Sequence, residues 1–190
     1  MKKNLIFIAL GLLFLAVPAA AEPGVELDSN TAFYEGEIYN YIIPAPENFK
    51  MSTVEAQRDG YSFAFVPQND SYDSAAMLIG VHIYKIRGMS FPEALENDTA
   101  NIRGYFGSDL IIYPVDSIFN ATGDRLTGFY LNKKKEFIPN VMLSYYNGQA
   151  ELLIFELVIS ERITRVRAED TYIECIGNFK ALRKGELGSR

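Results

Sequence analysis

The chain of 190 residues contains one cysteine, one histidine and no tryptophan, and each shortage removes a class of chemistry. A lone cysteine, Cys175, closes no intramolecular disulfide, so the fold must be held by core packing. A lone histidine, His82, excludes within one chain a metal site with two imidazoles and any serine or cysteine triad with a histidine base. Positive charge is also short: 18 Lys and Arg stand against 24 Asp and Glu, a formal net charge of −6. An acidic chain is poorly suited to the phosphate backbone, and no nucleic-acid partner is expected. No nucleophile-and-base set, phosphate-cradling loop or metal-ligand spacing stands out, so no catalytic residue, cofactor or metal is assigned and the protein is not expected to be an enzyme.

What is present begins with a leader. Lys2 and Lys3 precede a 13-residue apolar run from Leu5 to Val17, and Pro18 is followed by Ala19, Ala20 and Ala21. Basic start, apolar middle and small residues at the cleavage site are the order of a secretory signal peptide, read here as residues 1–21 with cleavage after Ala21. The run is too short to cross a bilayer, which takes roughly 20 residues, and no lipid-bearing cysteine stands at the first mature position. The expected product is exported, periplasmic or extracellular, with no stable membrane anchor. Without Lys2 and Lys3, 16 basic residues face the same 24 acids.

Residues 22–37 are polar and mixed, with Pro23, Gly24 and Asp28-Ser29-Asn30, and read as a poorly ordered lead-in. A single domain is expected over 38–184, followed by a frayed tail at 185–190. Within the domain, Ile38 to Ile43 reads as a strand ended by Pro44 and Pro46. Lys50 to Gln57 reads as a second strand, joined through Asp59-Gly60 to the alternating Tyr61, Phe63 and Phe65. Ala76 to Ile86 is apolar on both faces and suits a central strand. Ser90-Phe91-Pro92-Glu93 is a capping box, opening a helix that runs to Gly107 with Phe91, Leu95, Ile102 and Phe106 at helical spacing.

Four strand-like runs follow: Leu110 to Phe119, Arg125 to Leu131, Val141 to Tyr146 and Gln149 to Ile159. Asn147-Gly148 joins the last two as a two-residue type I′ turn, which demands positive φ at both positions. Arg167 to Leu182 closes the chain as an amphipathic helix carrying Tyr172, Cys175, Ile176, Phe179 and Leu182 on one stripe. Short links favour antiparallel pairing, and the fold class is α+β, an antiparallel β-sheet flanked by helices.

The chemistry-bearing side chains take bland readings. His82 on a central strand is read as a hydrogen-bonded core histidine, and Cys175 as a small hydrophobe on the helix stripe with a raised pKa. Glu156 stands among Leu152, Ile154 and Val158, where a lone carboxylate is either exposed or functional, and exposure is the favoured reading. Asn69 to Ser74 lacks the spacing of a calcium loop and is read as a solvated turn. Lys133, Lys134 and Lys135 lie between two strands as a local positive field on an acidic protein, and are the candidate partner-binding residues.

With this order laid out, the chain resembles the PsbP-like superfamily, which includes the photosystem II extrinsic protein PsbP, the Ran-binding nuclear import factor and DcrB-type bacterial periplasmic proteins. Tyr41-Ile42-Ile43-Pro44-Ala45-Pro46-Glu47-Asn48-Phe49 is similar to the family's strand, proline and P-x-x-F/W opening. Ile176-Gly177-Asn178-Phe179-Lys180 is similar to its helix-ending SFK. The resemblance spans roughly Tyr39 to Leu182 and implies an α/β/α sandwich whose members mostly bind other proteins and share no active site. The functional expectation is a non-catalytic exported binding or accessory module for another protein. The alternatives are a carrier of a small apolar ligand, which needs an enclosed apolar pocket, and, least supported, a hydrolase without a recognisable motif.

Overall fold

The computed structural model describes residues 25–28, 30–133, 137–160 and 163–185; the expected leader, the tail beyond 185, and Lys134 and Lys135 lie outside them. Eleven strands and three helices alternate along the described chain, and every strand pairing is antiparallel. The α+β class with antiparallel sheets is therefore observed, in a sheet-dominated form.

The order begins where a lead-in was expected. β1 (Val25–Asp28) and β2 (Thr31–Glu35) form a hairpin, and β2 pairs with β3 (Tyr39–Pro44). The correction has a physical cause: Ala32 and Tyr34, two apart, both point inward and are buried, a period-2 pattern too short to stand out beside polar neighbours.

β4 (Phe49–Ser52) is followed by α1 (Val54–Arg58), so the strand expected over Lys50 to Gln57 stops half-way. Glu55, Ala56, Gln57 and Arg58 are helix formers, and the Glu55 carboxylate accepts from Ser52 Oγ at 2.7 Å across the first turn. β5 (Phe63–Pro67) then pairs back on β4, which keeps the expected hairpin with one helical turn inserted.

β6 (Met77–Lys85) is central as expected, flanked by β5 and by β10 (Glu151–Ile159). Between them in sequence lie α2 (Phe91–Phe106), β7 (Leu110–Phe119), β8 (Arg125–Lys133) and β9 (Asn140–Asn147). The Ser90 capping box is formed in full: Ser90 Oγ accepts from Glu93 N, and Glu93 accepts from Ser90 N at 2.8 Å. The large sheet has the order β4-β5-β6-β10-β9-β8-β7. β10 is buried at every residue because it is covered on both faces.

α3 (Arg165–Asn178) ends four residues before the expected limit, and β11 (Lys180–Arg183) adds to β3. Phe179 at the junction is extended, with φ −63° and ψ 136°. Phe179 and Ala181 are both buried, so this short run satisfies period 2 as well as the helical stripe, and pairing with β3 decides between them. β1, β2, β3 and β11 make a second, four-stranded sheet.

The two faces of the large sheet are covered differently. Ala94 and Ile102 of α2 pack with Leu131, Leu143, Leu152 and Ile154 on one face. Tyr172, Cys175, Ile176 and Phe179 pack on Phe155 and Leu157 of the other, together with Tyr41 and Ile43 from the small sheet. The small sheet thus shares a face with α3, a layer that reading 22–37 as a lead-in could not include. Each large side chain fully buried here contributes about 1.5–3 kcal/mol.

The Asn147-Gly148 turn differs from expectation in kind. Positive φ falls on Gln149, at 67°, and Gly148 is not among the positive-φ glycines. Gly148 N instead donates to Glu151 O at 2.9 Å, so the connection is longer than two residues. The glycine is required by a neighbour: a Cβ there would lie 2.1 Å from Tyr41 Oη.

Candidate functional site

Among the described residues, three of the four buried acidic and histidine side chains, Glu156, His82 and Asp98, gather on the α2 side of the large sheet. Glu156, on β10, is 1% exposed and Gly80 is its register partner on β6. The missing side chain of Gly80 leaves a slot filled by the ring of Tyr61, to which an added Cβ would come within 2.1 Å. Lying across this slot, Tyr61 donates its hydroxyl to Glu156 Oε2 at 2.8 Å. The expected exposure of Glu156 is therefore overturned. A buried carboxylate is tolerated here because its partners arrive from elements distant in sequence.

His82 lies beside this pair, one β6 residue pair along from Gly80. Its Nε2 is 3.6 Å from Glu156 Oε2, and its ring is 4.5 Å from that of Tyr61 and 5.5 Å from that of Tyr84. Nδ1 is 3.0 Å from Gly60 O and 2.9 Å from Tyr84 Oη. Nδ1 has one in-plane site for the two: protonated it donates to Gly60 O, and unprotonated it accepts from the Tyr84 hydroxyl. The reading of His82 as a hydrogen-bonded core histidine holds.

Asp98 reaches the same face from α2, where Tyr145 on β9 donates its hydroxyl to Asp98 Oδ2. Burial pushes the Asp98 carboxyl up from its usual 3.8 to about 6; the Tyr145 hydrogen bond and the charge of His82 act in the opposite direction, and Glu156 adds to the rise. Burial also raises the Tyr61, Tyr84 and Tyr145 hydroxyls above their ordinary value, keeping them neutral donors.

A third enclosed carboxylate serves the other face. Glu151 at the start of β10 is fully buried, accepting from Tyr41 Oη at 3.0 Å and from Glu37 N at 2.6 Å. It pins the β2–β3 turn to the large sheet. Tyr41 itself stacks with Tyr34 and Phe179 and meets Tyr146 edge-on.

Sequence reasoning missed Asp98 and Glu151. Asp98 had a signal: Ala94, Asp98 and Ile102 recur at steps of four, all three buried. Glu151 had none beyond its place next to an aromatic-rich hairpin.

The lysine corner is partly seen. Lys133 closes β8, two residues beyond the expected strand end, and its Nζ lies 3.7 Å from Asp109 Oδ1. It is half-buried. Near the start of α2, a shallow open cleft of about 340 Å³ is lined by Arg87, Gly88, Met89, Glu93, Glu96 and Asn97. It is a polar surface feature.

Cys175 is fully buried, and desolvation raises its thiol well above the ordinary value. In the folded protein it is expected to resist a thiol-specific reagent at neutral pH and to react at once in denaturant. Stoichiometric labelling of the native state would contradict the packing described here.

Two of the three comparisons give no relative: no protein-family model matches the chain, and no curated protein matches it. Comparison of folds gives a clear result. The structure is similar to the solution structure of cyanobacterial PsbP (CyanoP) from Synechocystis sp. PCC 6803, with a TM-score of 0.50 over 81% of this chain and 94% of that chain, at 10% identity. The fold is PsbP-like. The resemblance read from the Tyr41 to Phe49 and Ile176 to Lys180 segments thus holds at the level of fold. On this PsbP-like frame the first segment supplies β3, the turn after it and the start of β4, and the second ends α3 and enters β11.

Proposed function

We propose that this PsbP-like protein is a non-catalytic, exported accessory module that acts by binding another protein. The observation that carries the reading is the enclosure of its acid–base groups. Glu156, His82 and Asp98 are 1%, 3% and 4% exposed, and each is engaged with tyrosine hydroxyls or with one another. Groups so enclosed hold elements together; a reactant would have to enter the core to reach them. Export is supported by the leader-like order of Lys2 to Ala21, and no helix among the described residues is long and apolar enough to cross a membrane. Likeness to PsbP, in a superfamily whose members mostly bind proteins, supports the choice of partner class.

Lys133, Lys134 and Lys135 are the surface proposed to meet that partner, an acidic one. The test is capture from a periplasmic extract with wild type and with Lys133→Glu/Lys134→Glu/Lys135→Glu, each at low and high salt. Wild type at low salt is expected to recover a partner that the variant recovers less well, with the difference fading as salt screens charges over about 8 Å. Equal recovery in all four conditions would remove the lysines from the interface, and no recovery in any of them would count against the binding module itself. The variant's Tm is expected to fall only slightly, since a carboxylate in place of the Lys133 ammonium would repel Asp109 at an accessible corner where water screens the charges.

A further inference from the structure

We propose that Asn147 is a deamidation site whose rate is set by opening of the β9–β10 connection, and that the isoaspartyl form it yields unties the small sheet from the large one. The sequence marks the position. Of the 12 asparagines in the chain, Asn147 alone is followed by glycine, and the lack of a Cβ at the next residue gives its amide nitrogen an open approach to the asparagine side chain. Asn147 is the last residue of β9 and is exposed, so water reaches its carboxamide.

The reaction needs water and no other reactant. Gly148 N, having given its proton to solvent, forms a bond to Asn147 Cγ while the Cγ–Nδ2 bond breaks, and Nδ2 takes up a proton and leaves as ammonia. Water then opens the cyclic imide at one of its two carbonyls. Opening at Cγ returns an aspartate with the main chain intact. Opening at the main-chain carbonyl frees that group as a carboxylate and leaves the chain running through Cβ and Cγ, one carbon longer. No atom changes oxidation state.

The closed connection withholds the nucleophile. Gly148 N donates to Glu151 O at 2.9 Å and Gly148 O accepts from Ala150 N at 2.8 Å, so both backbone groups of the glycine are committed. Asn147 Oδ1 accepts from Gln149 N at 3.0 Å, which ties the carboxamide to the residue beyond. Attack waits for these bonds to open, and the rate in the folded protein is that of a free chain multiplied by the fraction open. The consequence follows from the packing. A Cβ added at Gly148 would lie 2.1 Å from Tyr41 Oη and 2.9 Å from Glu151 O, so the seat has no room for a longer chain. The isoaspartyl turn regains it only by displacing Tyr41, whose hydroxyl is bonded to the Glu151 carboxylate that also holds Glu37 N. The aspartyl form keeps the chain length and an acceptor for Gln149 N, and closes as before.

The experiment incubates the full mature chain at mildly alkaline pH, folded and unfolded in urea, and follows by mass spectrometry the amide-to-acid change in the peptide holding Asn147. In urea Asn147 is expected to react ahead of every other asparagine, and in the folded protein to react more slowly by roughly tenfold or more. Tyr41→Phe, which removes the hydroxyl bonded to Glu151, is expected to raise the folded rate severalfold and leave the rate in urea unchanged. The isoaspartyl protein, separated by chromatography, is expected to melt below wild type and to lose amide-exchange protection in β2 and β3 before β6, whereas Asn147→Asp melts close to wild type. Equal rates folded and in urea, or a folded Tyr41→Phe variant that reacts no faster than wild type, would overturn the gate. An isoaspartyl protein that melts with wild type would overturn the untying, and reaction of other asparagines ahead of Asn147 in urea would remove the site itself.

Discussion

Replacing Gly80 with alanine is expected to lower stability by roughly 3–5 kcal/mol, and Tm by about 10 °C, although it adds one methyl group. The added Cβ would stand 2.1 Å from Tyr61 Cε1, 2.4 Å from Cδ1 and 2.7 Å from Cζ. These atoms make up one edge of a buried ring packed 4.5 Å from that of His82, so the clash is with the rigid ring and not with a flexible end. The ring must leave, taking with it the hydroxyl that donates to Glu156. A side chain that is 1% exposed then loses its tyrosine donor, which adds the cost of a lost buried hydrogen bond to the lost burial of the ring.

Tyr61→Ala separates these contributions. On its own it should also be costly, since a buried aromatic and a hydrogen bond both go. If the alanine at 80 acts by evicting the ring, adding Gly80→Ala to Tyr61→Ala should cost little more, and the two changes should be strongly non-additive in urea melts. Simple additivity would mean that residue 80 and Tyr61 act independently, contrary to the packing.

This slot also explains why the sequence alone points to an exposed Glu156. Alternation along β10 places Glu156 on the same face as Leu152, Ile154 and Val158, and an isolated charge on such a face is usually solvated. The partner that reverses the reading lies 95 residues away, and it reaches Glu156 because residue 80 has no side chain. Neither fact is local. Glu151 repeats the pattern, with Tyr41 110 residues distant.

Features with local causes were legible. The Ser90 cap works through two hydrogen bonds within four residues. β6 declares its central place by apolar residues on both faces, and Cys175 declares its burial by helical spacing. Short segments fall between these cases: α1 and β11 hold five and four residues, too few for either period to be unambiguous. Pairing order is also non-local, since β6 and β10 are neighbours in the sheet with α2, β7, β8 and β9 between them in sequence.

Gly148→Val is the other large effect, and its cause can be told apart from the one that the Asn147-Gly148 sequence suggests. A type I′ turn would make the glycine necessary for positive φ. In the structure the positive φ belongs to Gln149, whereas Gly148 is pressed by Tyr41, with Oη 2.1 Å and Cζ 3.2 Å from the position of an added Cβ, and by Glu151 O at 2.9 Å. Tyr41 cannot swing aside: it is fully buried, stacked on Phe179, and bonded to Glu151 Oε2 at 3.0 Å. Valine at 148 is therefore expected to cost roughly 4 kcal/mol, through overpacking against the ring and loss of the Tyr41–Glu151 bond that ties the small sheet to the large one. Alanine should cost less, and less again in a Tyr41→Phe background, where the nearest clashing atom is gone. Gln149→Gly should be close to neutral, because it relieves the one left-handed residue of the turn while giving up only an exposed side-chain hydrogen bond to Tyr39 Oη at 3.3 Å. Should Tyr41→Phe give Gly148→Ala no relief, and Gln149→Gly prove as damaging as Gly148→Val, conformational demand at the turn would replace the close approach of Tyr41 as the reason for the glycine.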